Sequence, residues 1–107
     1  MKKKSNKLRR LEQNRYSILT DDLEHCYWCY EQDESIVPKD DLHEIYGGSN
    51  RQRSMIHGFV IPLCRQHHRH VHNNKEAKEF LQRFCQITYE ETHTREEFIK
   101  IIGKSYL

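Results

Sequence analysis

The pair Cys26-Tyr27-Trp28-Cys29 and the run Cys64-Arg65-Gln66-His67-His68-Arg69-His70-Val71-His72 constrain this chain more than any other feature. Three of its four cysteines and five of its eight histidines lie in these stretches or directly beside them. Zinc takes four nitrogen or sulfur ligands in a tetrahedron, and one Cys-x2-Cys turn supplies two of them. Cys64 and His67 repeat that two-residue spacing and offer the other two. His68 is the alternative fourth ligand, but the repeated spacing favours His67 and frees His68 for another role. Cys26 and Cys64 could instead be ordinary buried thiols, since free cysteine packs well; paired spacing argues for ligands. Cys85 has no such partner and, among Phe80, Leu81 and Phe84, reads as core.

A chain of 107 residues with 36% hydrophobic and 32% charged side chains and a mean hydropathy of -1.00 can build only a small core. Domains of that kind need a staple. The first residues, Met1-Lys2-Lys3-Lys4-Ser5-Asn6-Lys7, contain no secretory apolar region. A cytoplasmic protein is therefore expected, in which paired cysteines bind metal rather than form disulfides. No apolar run reaches membrane-spanning length, so no membrane partner is expected.

The net charge of +2 conceals an uneven distribution. Lys2, Lys3, Lys4, Lys7, Arg9, Arg10 and Arg15 face only Glu12 in the first fifteen residues. Arg51, Arg53, Arg65 and Arg69 form a second basic group, separated from the first by an acidic stretch. Such arms suit a nucleic-acid phosphate backbone, or they are a solvated tail that aids solubility.

Along the chain, residues 1–19 read as a basic arm followed by a short amphipathic helix over Lys7–Leu19. The core is expected over 20–74. In it, Glu31–Asp41 is a polar connector, Asp41–Tyr46 a strand closed by Gly47-Gly48, and Gly47–Ser54 a polar loop. Gly58–Leu63 reads as a second strand that delivers Cys64. The helix after it carries His68 and His72, four residues apart and so on one face. Residues 75–107 add two helices packed on the core as part of one domain. The first carries an apolar stripe of Ala77, Phe80, Leu81, Phe84 and Ile87. The second starts at a Thr94-x2-Glu97 capping box and stops at Gly103.

In this order, Leu42-His43-Glu44-Ile45-Tyr46-Gly47-Gly48-Ser49-Asn50-Arg51 and Gly58-Phe59-Val60-Ile61-Pro62-Leu63-Cys64, followed by His67, His68 and His72, resemble the HNH endonucleases, and more narrowly the small phage-encoded HNH proteins. The resemblance extends from about Leu8 to the C-terminal tail. It implies an α+β fold, a small zinc-stapled ββα-metal core flanked by an N-terminal helix and two C-terminal helices. It further implies hydrolysis of DNA phosphodiester bonds at a second, divalent cation (Mg2+, Mn2+ or Zn2+) between the hairpin and a helix. A strand histidine would activate water, and the products would carry 5′-phosphates. A phage or host recombination or packaging protein is a further partner it suggests, in a host-cell cytoplasm.

Carried over by position, His68 and His72 hold that cation, with His43 or Glu44 opposite. Aligned on Ile45, His43 is a ligand and Glu44 the base; aligned on the lone histidine, His43 is the base and Glu44 a metal-side carboxylate. A solvent-exposed carboxylate is a poor base near neutral pH, which favours His43. Phe59 stands where many members have asparagine, and Asn50 is the substitute that would orient the histidine, or an ordinary turn residue. Arg51 would grip phosphate or face solvent. Ser54 and His57 carry less, and His25, His70 and His93 read as exposed. His67 replaces a cysteine common in the family. The competing expectation is a catalytically silent zinc-binding module that docks nucleic acid or a phage replication, recombination or packaging protein.

Overall fold

The computed structural model describes residues 5–107, so Lys2, Lys3 and Lys4 of the expected basic arm lie outside the described residues. The chain runs through α1 (Asn6–Gln13), α2 (Tyr27–Asp33), β1 (Asp41–Glu44) and a short 3-10 turn (Gly48–Asn50) into α3 (Arg51–His57). β2 (Val60–Leu63), α4 (Arg65–Asn73), α5 (Lys75–Tyr89) and α6 (Arg95–Ile102) follow. It is an α+β fold of six helices on one two-stranded antiparallel sheet among the described residues. No helix there is long and apolar enough to cross a membrane.

The hairpin positions everything else. Asp41 pairs with Leu63, Leu42 with Pro62, His43 with Ile61 and Glu44 with Val60. β2 is buried along its whole length, as its apolar run predicts, whereas β1 is buried only at His43. Pro62 is tolerated because in a two-stranded sheet each strand is an edge that needs no second ladder. Tyr46, Phe59 and Phe98 meet in the core, with ring centroids 5.4–5.9 Å apart. Tyr89 and Tyr106 pack against them.

Besides α2, which makes a helix of the Cys26–Cys29 turn and the start of the expected connector, three elements differ from the sequence expectation. The N-terminal helix stops at Gln13, and the chain beyond it runs irregularly so that the Ile18 N–H can donate to the Gly58 carbonyl at 2.9 Å. The expected polar loop is instead the 3-10 turn and α3. Its buried Ser54 hydroxyl donates to the Tyr46 carbonyl at 2.7 Å and accepts from the Tyr46 N–H at 3.2 Å. Gly58 ends α3 at φ +76°, where a Cβ would stand 2.5 Å from the Tyr16 ring. The third difference is in α5, whose buried series is Ala77, Leu81, Cys85 with Gln86, and Tyr89. Phe80, Phe84 and Ile87 of the expected stripe are exposed.

Gln86 is fully buried because its amide is satisfied. Nε2 donates to Glu90 at 2.7 Å and to Ser105 at 3.0 Å, and Oε1 accepts from the Tyr106 N–H at 2.7 Å. The Thr94–Glu97 capping box forms as expected, and Gly103 closes α6 in the left-handed region.

Candidate functional site

Cys26 caps α2 and receives the Cys29 N–H on its sulfur at 3.4 Å, so the Cys-x2-Cys turn is a helix N-terminus rather than a free knuckle. Cys64 directly follows β2 and is the N-cap of α4, and His67 sits in the first turn of α4. The four side chains converge from these two places. His67 Nδ1 lies 3.6 Å from the Cys26 sulfur and 3.3 Å from those of Cys29 and Cys64, and the last two sulfurs are 3.9 Å apart. Ligands about 2.0–2.3 Å from one tetrahedral ion stand roughly 3.3–3.8 Å from one another, so this group could hold a metal ion such as zinc.

Its electrostatics call for a cation. Burial pushes the Cys29 thiol up to about 12, and competition with Cys26 and Cys64 adds to that. Cys26 is also pushed up by burial, but hydrogen bonds from the Cys64 and Cys29 N–H groups outweigh this and hold it below the ordinary thiol range. Three crowded thiols cannot all ionise unless a positive charge lies between them. Trp28 stacks on His67 at 6.0 Å and 24°, covering one side of the cluster.

The second group faces elsewhere from the same helix. His43 on β1 and His68 and His72 on α4 bring their ring nitrogens within 4.8 Å of one another, a group able to hold a metal ion. His68 Nε2 and His72 Nε2 are 3.1 Å apart, close to the roughly 3.0–3.4 Å expected of two nitrogens on one ion. His68 Nδ1 lies 3.0 Å from the Asp41 carboxylate. A carboxylate only accepts, so Nδ1 donates to Asp41 and Nε2 is the atom turned toward His72. That hydrogen bond is the main reason the Asp41 carboxyl is held below its usual range. Burial, then the charges of His68, His72 and Lys78, lowers His43 to about 3. His72 is lowered by burial and by the same neighbours, His68 and Lys78. Both imidazoles are thus neutral near pH 7, the form that ligates metal.

No protein-family model, no curated protein and no solved structure matches this chain. The chemistry of both clusters is therefore that of their own donor sets.

The remaining sequence-expected residues are dispersed. Glu44 follows His43 in the strand and so points to the other face. There Arg15 meets its Oε1 at 2.8 Å and Arg51 at 3.5 Å, while Arg51 also pairs with Glu12 at 2.9 Å. Asn50 donates to the Ile102 carbonyl at 2.9 Å and accepts from Arg53 at 3.3 Å, tying the 3-10 turn to the end of α6. Arg53 also donates to the Ser49 carbonyl at 3.1 Å. Arg65 lies 3.4 Å from Asp41, and Arg69 is exposed on α4. His25 pairs with Asp22, His57 stacks on Phe59, His70 meets the edge of Trp28, and His93 stacks on Tyr89.

Asp41 is the site residue that sequence reasoning missed. Alternation along β1 could have found it, because residues two apart share a strand face and His43 faces α4.

Proposed function

We propose that this chain is a metal-dependent DNA endonuclease of the HNH type, with a structural zinc on Cys26, Cys29, Cys64 and His67. His43, His68 and His72 would hold the catalytic divalent cation. The observation that carries this reading is the three-histidine cluster spanning strand and helix, separate from the Cys3His group yet built on the same α4.

Three protein ligands leave coordination positions for water and substrate, as catalytic sites require and closed structural sites do not. When bound, the cation would offset charge on the phosphate oxygens and make a coordinated water more acidic. His43 serves as ligand rather than base, because a buried imidazole lowered to about 3 is a poor proton acceptor near neutral pH. Asp41 fixes the tautomer and orientation of His68. Arg69 is exposed on α4 and, unlike Arg65, is in no ion pair among the described residues, so it suits a phosphate contact.

One observation favours the competing reading, a catalytically silent zinc module. Glu44, the other candidate base, is turned from the histidines and held by two arginines. Supercoiled plasmid incubated with Mg2+, Mn2+, Zn2+ or EDTA separates the two readings. The endonuclease reading expects metal-dependent nicking by the wild type and none by His43→Ala or His72→Ala. Equal nicking by all three proteins would refute it, and no nicking with any metal would favour the silent module.

A further inference from the structure

We propose that the groove between α5 and the C-terminal segment, lined by Lys75, Lys78, Arg83 and Lys104, binds the phosphate backbone of duplex DNA and leads it to the three-histidine cluster. The function assigned to the groove rests on the endonuclease reading. The groove has a volume of about 600 Å³. It sets four cations against one carboxylate, Glu79, which among the described residues pairs with Lys75 alone, at 3.8 Å across two exposed side chains. Among the described residues no ion pair engages Lys78, Arg83 or Lys104.

Three of the four arginines of the second basic group, all but the exposed Arg69, contrast with these. Arg51 is held by Glu12 and Glu44, Arg53 by the Ser49 carbonyl and Asn50, and Arg65 by Asp41. Arg51 and Arg65 are thus balanced by carboxylates and Arg53 is engaged by neutral oxygens, whereas Lys78, Arg83 and Lys104 of the groove face no carboxylate in an ion pair among the described residues.

The groove also adjoins the cluster. His72 lies in the last turn of α4, Asn74 caps α5, and Lys75 is the first residue of α5. Lys78 stands one turn further along α5, so the groove begins where the helix that carries His72 ends.

The lining selects a duplex over a single strand. Single-strand sites stack bases on exposed aromatic rings. Tyr106 is the groove's one aromatic lining residue among those described, and Lys104 covers its ring at 4.7 Å while Tyr46 packs on it at 5.2 Å. What the groove offers is mainly cations, with Gln82 and Ser105 as neutral polar groups beside them, which suits the sequence-independent backbone binding of a duplex.

The test is binding of a labelled duplex by the zinc-loaded full chain, read by fluorescence anisotropy across a salt series with no divalent cation added. Lys78→Ala combined with Lys104→Ala should weaken binding at least about tenfold. It should also flatten the slope of log affinity against log salt by about 1.8, or roughly 0.9 for each phosphate no longer neutralised. Lys100→Ala, exposed on α6 and outside the groove, should change neither. Unchanged affinity and slope in the double variant would overturn the proposal, as would tighter binding of a single strand or of an acidic peptide than of the duplex. Binding is read without cleavage. A chain that binds through the groove but never nicks DNA would leave this proposal standing and refute the endonuclease reading. Nicking with undiminished affinity in the double variant would do the reverse.

Discussion

At the scale of single residues, the chemistry turns on which way each side chain of β1 points. His43 and Asp41 face α4 and Glu44 faces Arg15 and Arg51, so neighbours in sequence belong to different environments. The hydrogen bond from His68 to Asp41 yields a direct prediction. Asp41→Ala should weaken cobalt(II) binding at the histidine cluster by about 10–100-fold, as loss of such an outer carboxylate does. The thiolate-ligated cobalt spectrum should stay unchanged; equal weakening at both clusters would mean that Asp41 acts only through the fold. His43 gives a second prediction. In the unfolded chain it binds a proton near the ordinary value of about 6.5, and in the folded protein only near 3. Between those values the unfolded chain holds more protons, so this group's contribution is intact above about pH 6.5 and is lost as pH falls toward 3. The slope is at most about 1.4 kcal/mol per pH unit. Denaturant midpoints from about pH 8 down to about pH 5 should show it, and His43→Gln should remove that part of the slope. His68 and His72 were legible in sequence through their spacing of four, whereas His43 opposite them came only from the resemblance, with Glu44 as the alternative. The partner of Asn50 was not legible, because Ile102 lies 52 residues away and no local pattern brings them together.

At the scale of elements, α4 is the shared part of both clusters. His67 and His68 are adjacent, and the helical turn between them sends one toward the cysteines and the other toward β1. The hairpin and α4 were legible because β2 is a short apolar run ending in a ligand and α4 repeats its histidines at four. α3 was not, since Arg51–His57 buries only Ser54 and Met55 and shows no apolar period. Its register depends on Gly58. Gly58→Ala should lower stability by roughly 1–2 kcal/mol for the left-handed backbone alone, read as a lower thermal midpoint; an unchanged midpoint would show that this turn carries no constraint. α5 misled for a different reason. Two overlapping rows run along it, and the row richer in phenylalanine is not the core row. Phe80 instead approaches Trp28 of α2, with ring centroids 6.5 Å apart, while Cys85 and Gln86 take the buried positions.

At the scale of the whole molecule, the Cys3His group joins α2, with the chain before it, to the β2–α4 junction. A core this small relies on that link. Stripping the metal with a strong chelator should therefore cause cooperative loss of structure by circular dichroism, reversed by zinc. The α+β order and the closed cluster were visible in sequence because ligand spacing is a local pattern. The basic groove was not, since it forms only when the C-terminal segment returns along α5. That one chain builds two distinct metal sites is open to direct test by cobalt(II) titration of the metal-free chain, which folds as the first ion binds. Two ions per chain should bind, one with thiolate-to-metal charge-transfer absorption and one without, with only the second lost in His72→Ala. Uptake of a single thiolate-bound ion, identical in the wild type and His72→Ala, would contradict the two-site proposal.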